Sequence, residues 1–351
     1  MMNEFDEQLE PMADFDLLPS QDELPPGHRS GFVAVVGRPN VGKSTLINGW
    51  LGQKIAIVSD KPQTTRQRLT GILTRPEAQV IFLDTPGLHK PQHRLGEYMV
   101  DQAQEALPEA DVICLVVDVT EPPGRGDELM VRDIQRMATN VPVVLAINKV
   151  DLVPADRVLS RVAAYQELVP FRADWAVITA LDEDARQDVL QRIIALLPVG
   201  PRYYPADQVT DLQERFIAAE LIREQVLRQT YQEVPHSVAV VVQEFNQRAE
   251  GLTYISATIY VERDSQKKIV LGKNGQGIKQ IGQSARVEIE ELVGSKVYLE
   301  LWVKVWENWR KSEERLRWLG YALPHGGKRG SDLSVKRLPT RSRSFKPISG
   351  R

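Results

Sequence analysis

Residues 37–45 read GRPNVGKST and follow directly on the apolar run GFVAVV at 31–36. Residues 37–44 fit the pattern G-x-x-x-x-G-K-S, set between a run with strand character and a helical pattern over 43–51. In that context the two glycines, Gly37 and Gly42, let successive backbone N–H groups point into a phosphate, and the helix N-terminus adds positive potential. Lys43 supplies a compact charge to the outer phosphates, and the Ser44 hydroxyl is placed for a magnesium ion. A glycine-rich turn before a helix is the structural alternative. The whole stretch, Gly37, Arg38, Pro39, Asn40, Val41, Gly42, Lys43, Ser44 and Thr45, is the expected phosphate cradle.

Working outward, short β-branched runs alternate with helical patterns from 31 to 197. Strands are expected at 32–37, 69–73, 79–84, 111–119, 141–148 and 174–179, and helices near 43–51, 94–106, 125–139, 155–168 and 183–196. Near-continuously apolar strands separated by helices predict an α/β unit, a mostly parallel sheet with helices on both faces and its ligand site at the carboxyl ends of the strands. Two further motifs end such strands. NKVD at 148–151 closes VPVVLAI. Asp151 can accept from both the ring N–H and the exocyclic amine of guanine, a donor pair that adenine lacks, so Asn148, Lys149 and Asp151 read as base-selecting residues. DTPG at 84–87 closes QVIFLD: Asp84 can hold Mg²⁺ through water, and the Gly87 N–H can reach a γ phosphate, so Asp84, Thr85, Pro86, Gly87 and the following Leu88 form a candidate sensor of that phosphate. ITA at 178–180 completes the set, with the backbone of Thr179 and Ala180 covering the base.

The stretch LLPVGPRYYPADQVT at 196–210 reads as a linker. Beyond it the order helix, strand, strand, helix, strand describes an α+β domain. G-K-N-G at 272–275 is expected between an apolar strand and a helix, with Lys267, Lys268, Lys273 and Lys279 around it. A G-x-x-G loop among cations suits a single-stranded nucleic-acid backbone, although the motif alone is weak. In VYLELWVKVW, Val297, Leu299, Leu301, Val303 and Val305 share the core face of a strand. Tyr298, Glu300, Trp302, Lys304 and Trp306 share the other, either covered by a helix or the first domain or left open as a stacking surface that Tyr254 and Tyr260 would join.

Composition narrows the classes further. No run of 18 apolar residues exists to span a membrane, and the N-terminus lacks the basic and apolar regions of a secretory signal, so a cytoplasmic location is expected. The lone cysteine, Cys114, sits in DVICLVVDV, which excludes a disulfide framework and points to a buried structural thiol. Residues 1–30 carry eight acidic side chains against one arginine, and residues 325–351 carry eight basic ones against one aspartate. Both tails, 1–30 and 323–351, are expected to be disordered, the basic one with affinity for phosphate backbones.

These spaced elements resemble those of the translation-factor-type GTPases, and three details resemble the Era family in particular: QTTRQR at 63–68, Thr179–Ala180 where the family usually has Ser-Ala, and the G-K-N-G domain. The resemblance implies a P-loop GTPase domain at 31–197, a linker at 198–210 and a type II KH domain at 211–322. It implies GTP and GDP as ligands, with Mg²⁺ held by Ser44, Asp84 and a switch threonine, Thr65 rather than Thr64. Lys43, Thr65 and Gly87 are then the residues expected to act on the γ phosphate. Leu88 stands where many GTPases have a water-orienting glutamine, so slow, assisted hydrolysis is implied, and Asn40 matches a position that helps to hold K⁺ in potassium-dependent relatives. His89 is expected to be solvent-exposed rather than a base. Lys267, Lys268, Gly272, Lys273, Asn274, Gly275 and Lys279 would bind the 3′ end of 16S ribosomal RNA, in a monomer that serves 16S processing and biogenesis of the 30S ribosomal subunit. The expectation leaves room for a peripheral contact with the inner membrane. The competing class is a signalling or membrane-associated GTPase whose second domain binds protein.

Overall fold

The apolar runs of the first half pair into one sheet of six strands in the computed structural model, which describes residues 24–61, 63–87, 93–169, 173–249 and 251–321. Leu88, His89, the basic tail and most of the acidic one lie outside the described residues. The strands are β1 (Arg29–Val36), β2 (Leu69–Thr74), β3 (Ala78–Asp84), β4 (Val112–Asp118), β5 (Val143–Asn148) and β6 (Ala173–Val177), in the order β2-β3-β1-β4-β5-β6. All pairings are parallel except that of the edge strand β2 with β3.

Helices α1 (Lys43–Leu51) and α5 (Glu183–Leu196) cover one face. Their Leu46, Ile47, Trp50, Val189 and Ile193 pack against Val33, Val35 and Phe82, with the Trp50 and Phe82 rings stacked at 4.7 Å. On the other face α2 (Arg94–Glu109), α3 (Arg125–Met137) and α4 (Ala155–Leu168) present Leu107, Ile134 and Tyr165 to Ala34, Ile81 and Leu115. Each fully buried aliphatic side chain contributes roughly 1.5–3 kcal/mol, and only a sheet enclosed on both sides lets strands such as β3, buried at every position, gain it throughout. The order reverses at β1, whose neighbours are reached by connections running in opposite directions, so a crevice opens at its carboxyl end.

The proline-rich stretch after α5 lies along the open edge of β2. Ile72 N–H donates to Val209 O at 2.7 Å and the Thr210 hydroxyl donates to Thr70 O at 2.6 Å, satisfying groups that a bare edge strand would leave to water. The backbone N–H groups of Tyr203 and Tyr204 are held by Gln79 Oε1.

The chain then forms α6 (Glu214–Gln229), β7 (Ala239–Ala249), β8 (Leu252–Val261), α7 (Asp264–Leu271), α8 (Gln276–Val293), β9 (Lys296–Val305) and a short α9 (Glu313–Trp318). The three strands pair as β7-β8-β9, antiparallel then parallel, with α6, α7 and α8 packed on one face. One expectation is corrected here: the run before G-K-N-G is helix α7, not a strand. Gln266 caps it, its Oε1 accepting from the N–H groups of Glu262 and Arg263. The misleading run is only Ile269, Val270 and Leu271, of which Val270 is buried and Ile269 is 53% exposed, too short to display a period.

Candidate functional site

A cavity of about 310 Å³ opens at the carboxyl ends of β1, β3 and β5 and gathers Asn40, Gly42, Lys43, Ser44, Thr45, Thr65, Gly87, Asn148, Lys149, Asp151, Thr179 and Ala180 from five separate motifs. Gly42 adopts φ 108°, where a Cβ would stand 2.3 Å from Asn148 Nδ2, so the cradle and the base-selecting motif touch only because this side chain is missing. Lys43 is buried, with its Nζ donating to Gly37 O and Arg38 O at 3.1 and 2.9 Å across the loop it must neutralise. Burial pulls its ammonium down to about 8, opposed by the charge of Asp84.

The Ser44 hydroxyl donates to Asp84 Oδ2 at 2.8 Å and lies 3.2 Å from Thr65 Oγ1. Burial pushes the Asp84 carboxyl up to about 6, against the pull of Lys43 and of the Ser44 and Thr65 hydroxyls. Its Oδ1 is buried with no hydrogen-bond partner among the described residues. An orphaned carboxylate oxygen beside two hydroxyls is the oxygen donor set of a hard divalent cation, so these residues fit Mg²⁺. Thr64 differs from its neighbour: its hydroxyl is turned onto Lys61 O at 2.6 Å.

Asn148 joins the motifs. Its Nδ2 donates to Val41 O at 2.7 Å and its Oδ1 accepts from Ala180 N at 2.8 Å. Lys149, in the left-handed region at φ 68°, is paired at 2.6 Å with Asp118 on β4. Burial pushes the Asp118 carboxyl upward, but hydrogen bonds from Lys149 and Thr120 outweigh it and hold the group below the usual carboxylate range. Asp151 stays exposed at the cavity rim. Asn40, also left-handed at φ 64°, donates to Asp60 O at 2.6 Å.

Some expected residues support the cavity without lining it. Arg38 turns to Asp127 on α3 at 3.1 Å, Val41 is buried in the core, and the Thr85 hydroxyl donates to Val35 O at 2.9 Å.

In the second half, Gly272–Gly275 make a tight turn between α7 and α8. Gly272 has φ 69° and ψ 176°, and a Cβ there would meet Gly277 N at 2.6 Å, so the two helices can approach only through glycine. Lys268, Lys273, Asn274 and Lys279 are exposed around the turn and Lys267 is half-buried. The aromatic face of β9 is divided between its two readings. Trp306 is covered by Tyr260 and by Trp318 of α9, whereas Tyr298 and Trp302 stay 62% and 55% exposed.

Residues 32–149 match the family model described as 50S ribosome-binding GTPase, and residues 233–310 match that of the KH domain. Two solved structures are similar over most of the chain, each 42% identical with a TM-score of 0.80, covering 84% of this chain and 100% of the other. One is Era in complex with MgGDPNP and nucleotides 1506–1542 of 16S ribosomal RNA, and the other is a variant of Aquifex aeolicus Era bound to GDP.AlF4-. The chain belongs to the Era family.

Within the Era architecture, the structure adds residues that line or brace the cavity and that motif reading missed. Asp118 orients Lys149, and Arg186 on α5 donates to Ala180 O at 3.0 Å, steadying the base-covering turn. Asp118 had a visible signal, since it ends its apolar strand as Asp84 and Asn148 end theirs. Ile57, Val58 and Ser59, which wall the cavity opposite the cradle, had none, because their segment has no secondary-structure period.

Proposed function

We propose that the protein binds GTP and GDP in this cavity, hydrolyses GTP, and uses the Gly272–Gly275 turn to hold the 3′ region of 16S ribosomal RNA during 16S processing and assembly of the 30S subunit. The observation that carries the nucleotide reading is Asn148, whose carboxamide ties the phosphate loop to the base-covering turn and so sets Asp151 and Lys43 in one cavity. Lys43 sits where the β and γ phosphates would lie, and Asp151 at the rim accepts the paired guanine donors. Phosphoryl transfer of this kind rests on placement and charge neutralisation rather than on covalent help from the protein. Ser44, Thr65 and Asp84 would hold Mg²⁺, which supplies charge neutralisation to the phosphates when bound. Asn40 and the neighbouring Asp60 carbonyl offer oxygens to K⁺, and hydrolysis faster in K⁺ than in Na⁺, with the difference lost in Asn40→Ala, would support that site.

The model described as 50S ribosome-binding GTPase matches residues 32–149 alone, whereas the Era in complex with 16S ribosomal RNA is similar over 84% of this chain, and that favours the small subunit. The RNA reading rests on exposed Lys268, Lys273 and Lys279 around a turn that only glycines permit, a surface suited to clamping phosphates. It is tested by titrating a fragment of the 16S 3′ end in the presence of GDP and of a non-hydrolysable GTP analogue. Lys273→Glu with Asn274→Asp should weaken binding by ~10-fold or more and flatten its salt dependence; unchanged affinity would instead favour a protein partner for this domain. Among the described residues no helix is long and apolar enough to cross a membrane. We place the protein in the cytoplasm as a monomer, and fractionation together with light scattering checks that location, any peripheral contact with the inner membrane, and the oligomeric state.

A further inference from the structure

The wall of the cavity that carries Ile57, Val58, Ser59, Thr64 and Thr65 is held from outside its own domain. Arg223 on α6 is 1% exposed, and its Nη2 donates to Thr64 O. The next residue, Glu224, is fully buried: its Oε1 accepts from Val58 N at 3.0 Å and its Oε2 pairs with Lys54 at 2.5 Å. Lys54 also reaches Glu288 on α8 at 2.7 Å. In the reverse direction Arg66, 2% exposed, sends its guanidinium across to the carbonyls of Pro235, His236 and Val238 and lies 5.7 Å from the centre of the Trp309 ring. Thr65 therefore stands between two residues each anchored to the second domain, and its own side chain is the one turned into the cavity, beside Ser44.

We infer that Arg223 and Glu224 of the second domain, with Arg66 as their counterpart, are positioning residues for GTP hydrolysis: they hold Val58, Thr64 and Arg66 in place so that Thr65 stands beside Ser44 and Asp84. The inference rests on the nucleotide reading above and extends it. Residues 58–61 and 63–66 form neither helix nor strand, and ordering such a segment has a large conformational-entropy cost. From the first domain, Asn40 holds Asp60 O and the Ser44 hydroxyl lies beside Thr65. Buried guanidinium and carboxylate groups, by contrast, are strongly penalised unless their partners stay in place, so the docked second domain has a marked preference for the closed loop. GDP needs only the cradle and the base pocket; a γ phosphate and its transfer need the loop as well. The clamp should therefore act on GTP and leave GDP alone.

The full-length protein, purified with Mg²⁺, provides the test. Arg223→Lys keeps the charge but lacks the planar fork that reaches Thr64 O and Glu220 together. Single-turnover GTP hydrolysis should fall by roughly tenfold or more, because small misplacements of a reacting geometry are costly. Affinity for GDP should stay within about twofold, and the Mg²⁺ concentration needed to retain a GTP analogue should rise. Glu224→Gln preserves the shape and one acceptor, so it guards against a misfolded variant and should show a smaller loss of the same pattern. Hydrogen exchange with the GTP analogue bound should show residues 58–66 protected in the wild type and less so in either variant. Hydrolysis and exchange matching the wild type in a folded Glu224→Gln would overturn the inference, as would equal losses of GDP and GTP affinity. If the wild type itself neither binds nor hydrolyses GTP, the nucleotide reading fails instead, and the two failures are thereby distinguished.

Discussion

Asn148 shows how much one side chain can carry. Removing it in Asn148→Ala leaves the Val41 carbonyl and the Ala180 N–H without their partner inside the protein, at a cost of about 1–3 kcal/mol each where water cannot replace it. Nucleotide affinity should fall more steeply than the melting temperature, which titration of a fluorescent GDP set against calorimetry would show. Asp151 lends itself to a sharper test of the base. Asp151→Asn replaces an acceptor by a donor amide, so guanine nucleotides should lose roughly 10²-fold or more in affinity while xanthine nucleotides, which carry a carbonyl in place of the exocyclic amine, should gain; a uniform loss for both would argue against Asp151 as the base reader. Cys114 gives a control for the fold. Its thiol is fully buried and burial pushes it up to about 12. A thiol reagent at pH 8 should therefore label it only as fast as the protein unfolds.

At the scale of elements, the first domain was legible nearly to the residue, because its elements have the properties that pattern reading depends on. Helices α1, α4 and α5 span the very stretches read from their periodicity, and each apolar run of the first half became a strand of the mostly parallel sheet. The turn of the second domain was legible as a motif but not as a shape, since its preceding helix α7 is eight residues long and only its capping by Gln266 declares it. That turn separates two kinds of glycine. Gly275→Ala meets no atom within 4 Å and should cost about 1–2 kcal/mol for its left-handed backbone alone. Gly272→Ala should cost more, because its Cβ would be driven against the backbone of Gly277. Urea unfolding of the two variants measures the difference, and RNA affinity should follow the same order, with Gly272→Ala the weaker binder.

Across the whole molecule, the two domains meet through an apolar cluster on α2 as well as through the arginine clamp. Leu95, Tyr98 and Met99 of α2 pack with Tyr260, Trp309, Leu316 and Tyr321. Trp309 sits at its centre, fully buried, stacked on Tyr321 and donating its indole N–H to Ser237 O at 3.0 Å. Trp309→Ala should destabilise the full chain by about 3–5 kcal/mol, read by denaturant midpoint at constant slope, and a loss below 1 kcal/mol would mean that the domains do not depend on this cluster. Nothing in the order of residues marks these partners, for Arg66 and Val238 are 172 positions apart.

The sequence by itself determined the sheet, the ligand class of the cavity and the presence of an RNA-type turn. Such features depend on local spacing: a loop of fixed length between a strand and a helix, a carboxylate at a strand's end, glycines where side chains cannot fit. Tertiary structure alone decided that Ile57, Val58 and Ser59 wall the nucleotide cavity and that Arg223 and Glu224 hold that wall and Thr64 from the other domain. Those contacts join groups distant in the chain, and their energy comes from burying charge beside a partner, which exists only once both domains have folded.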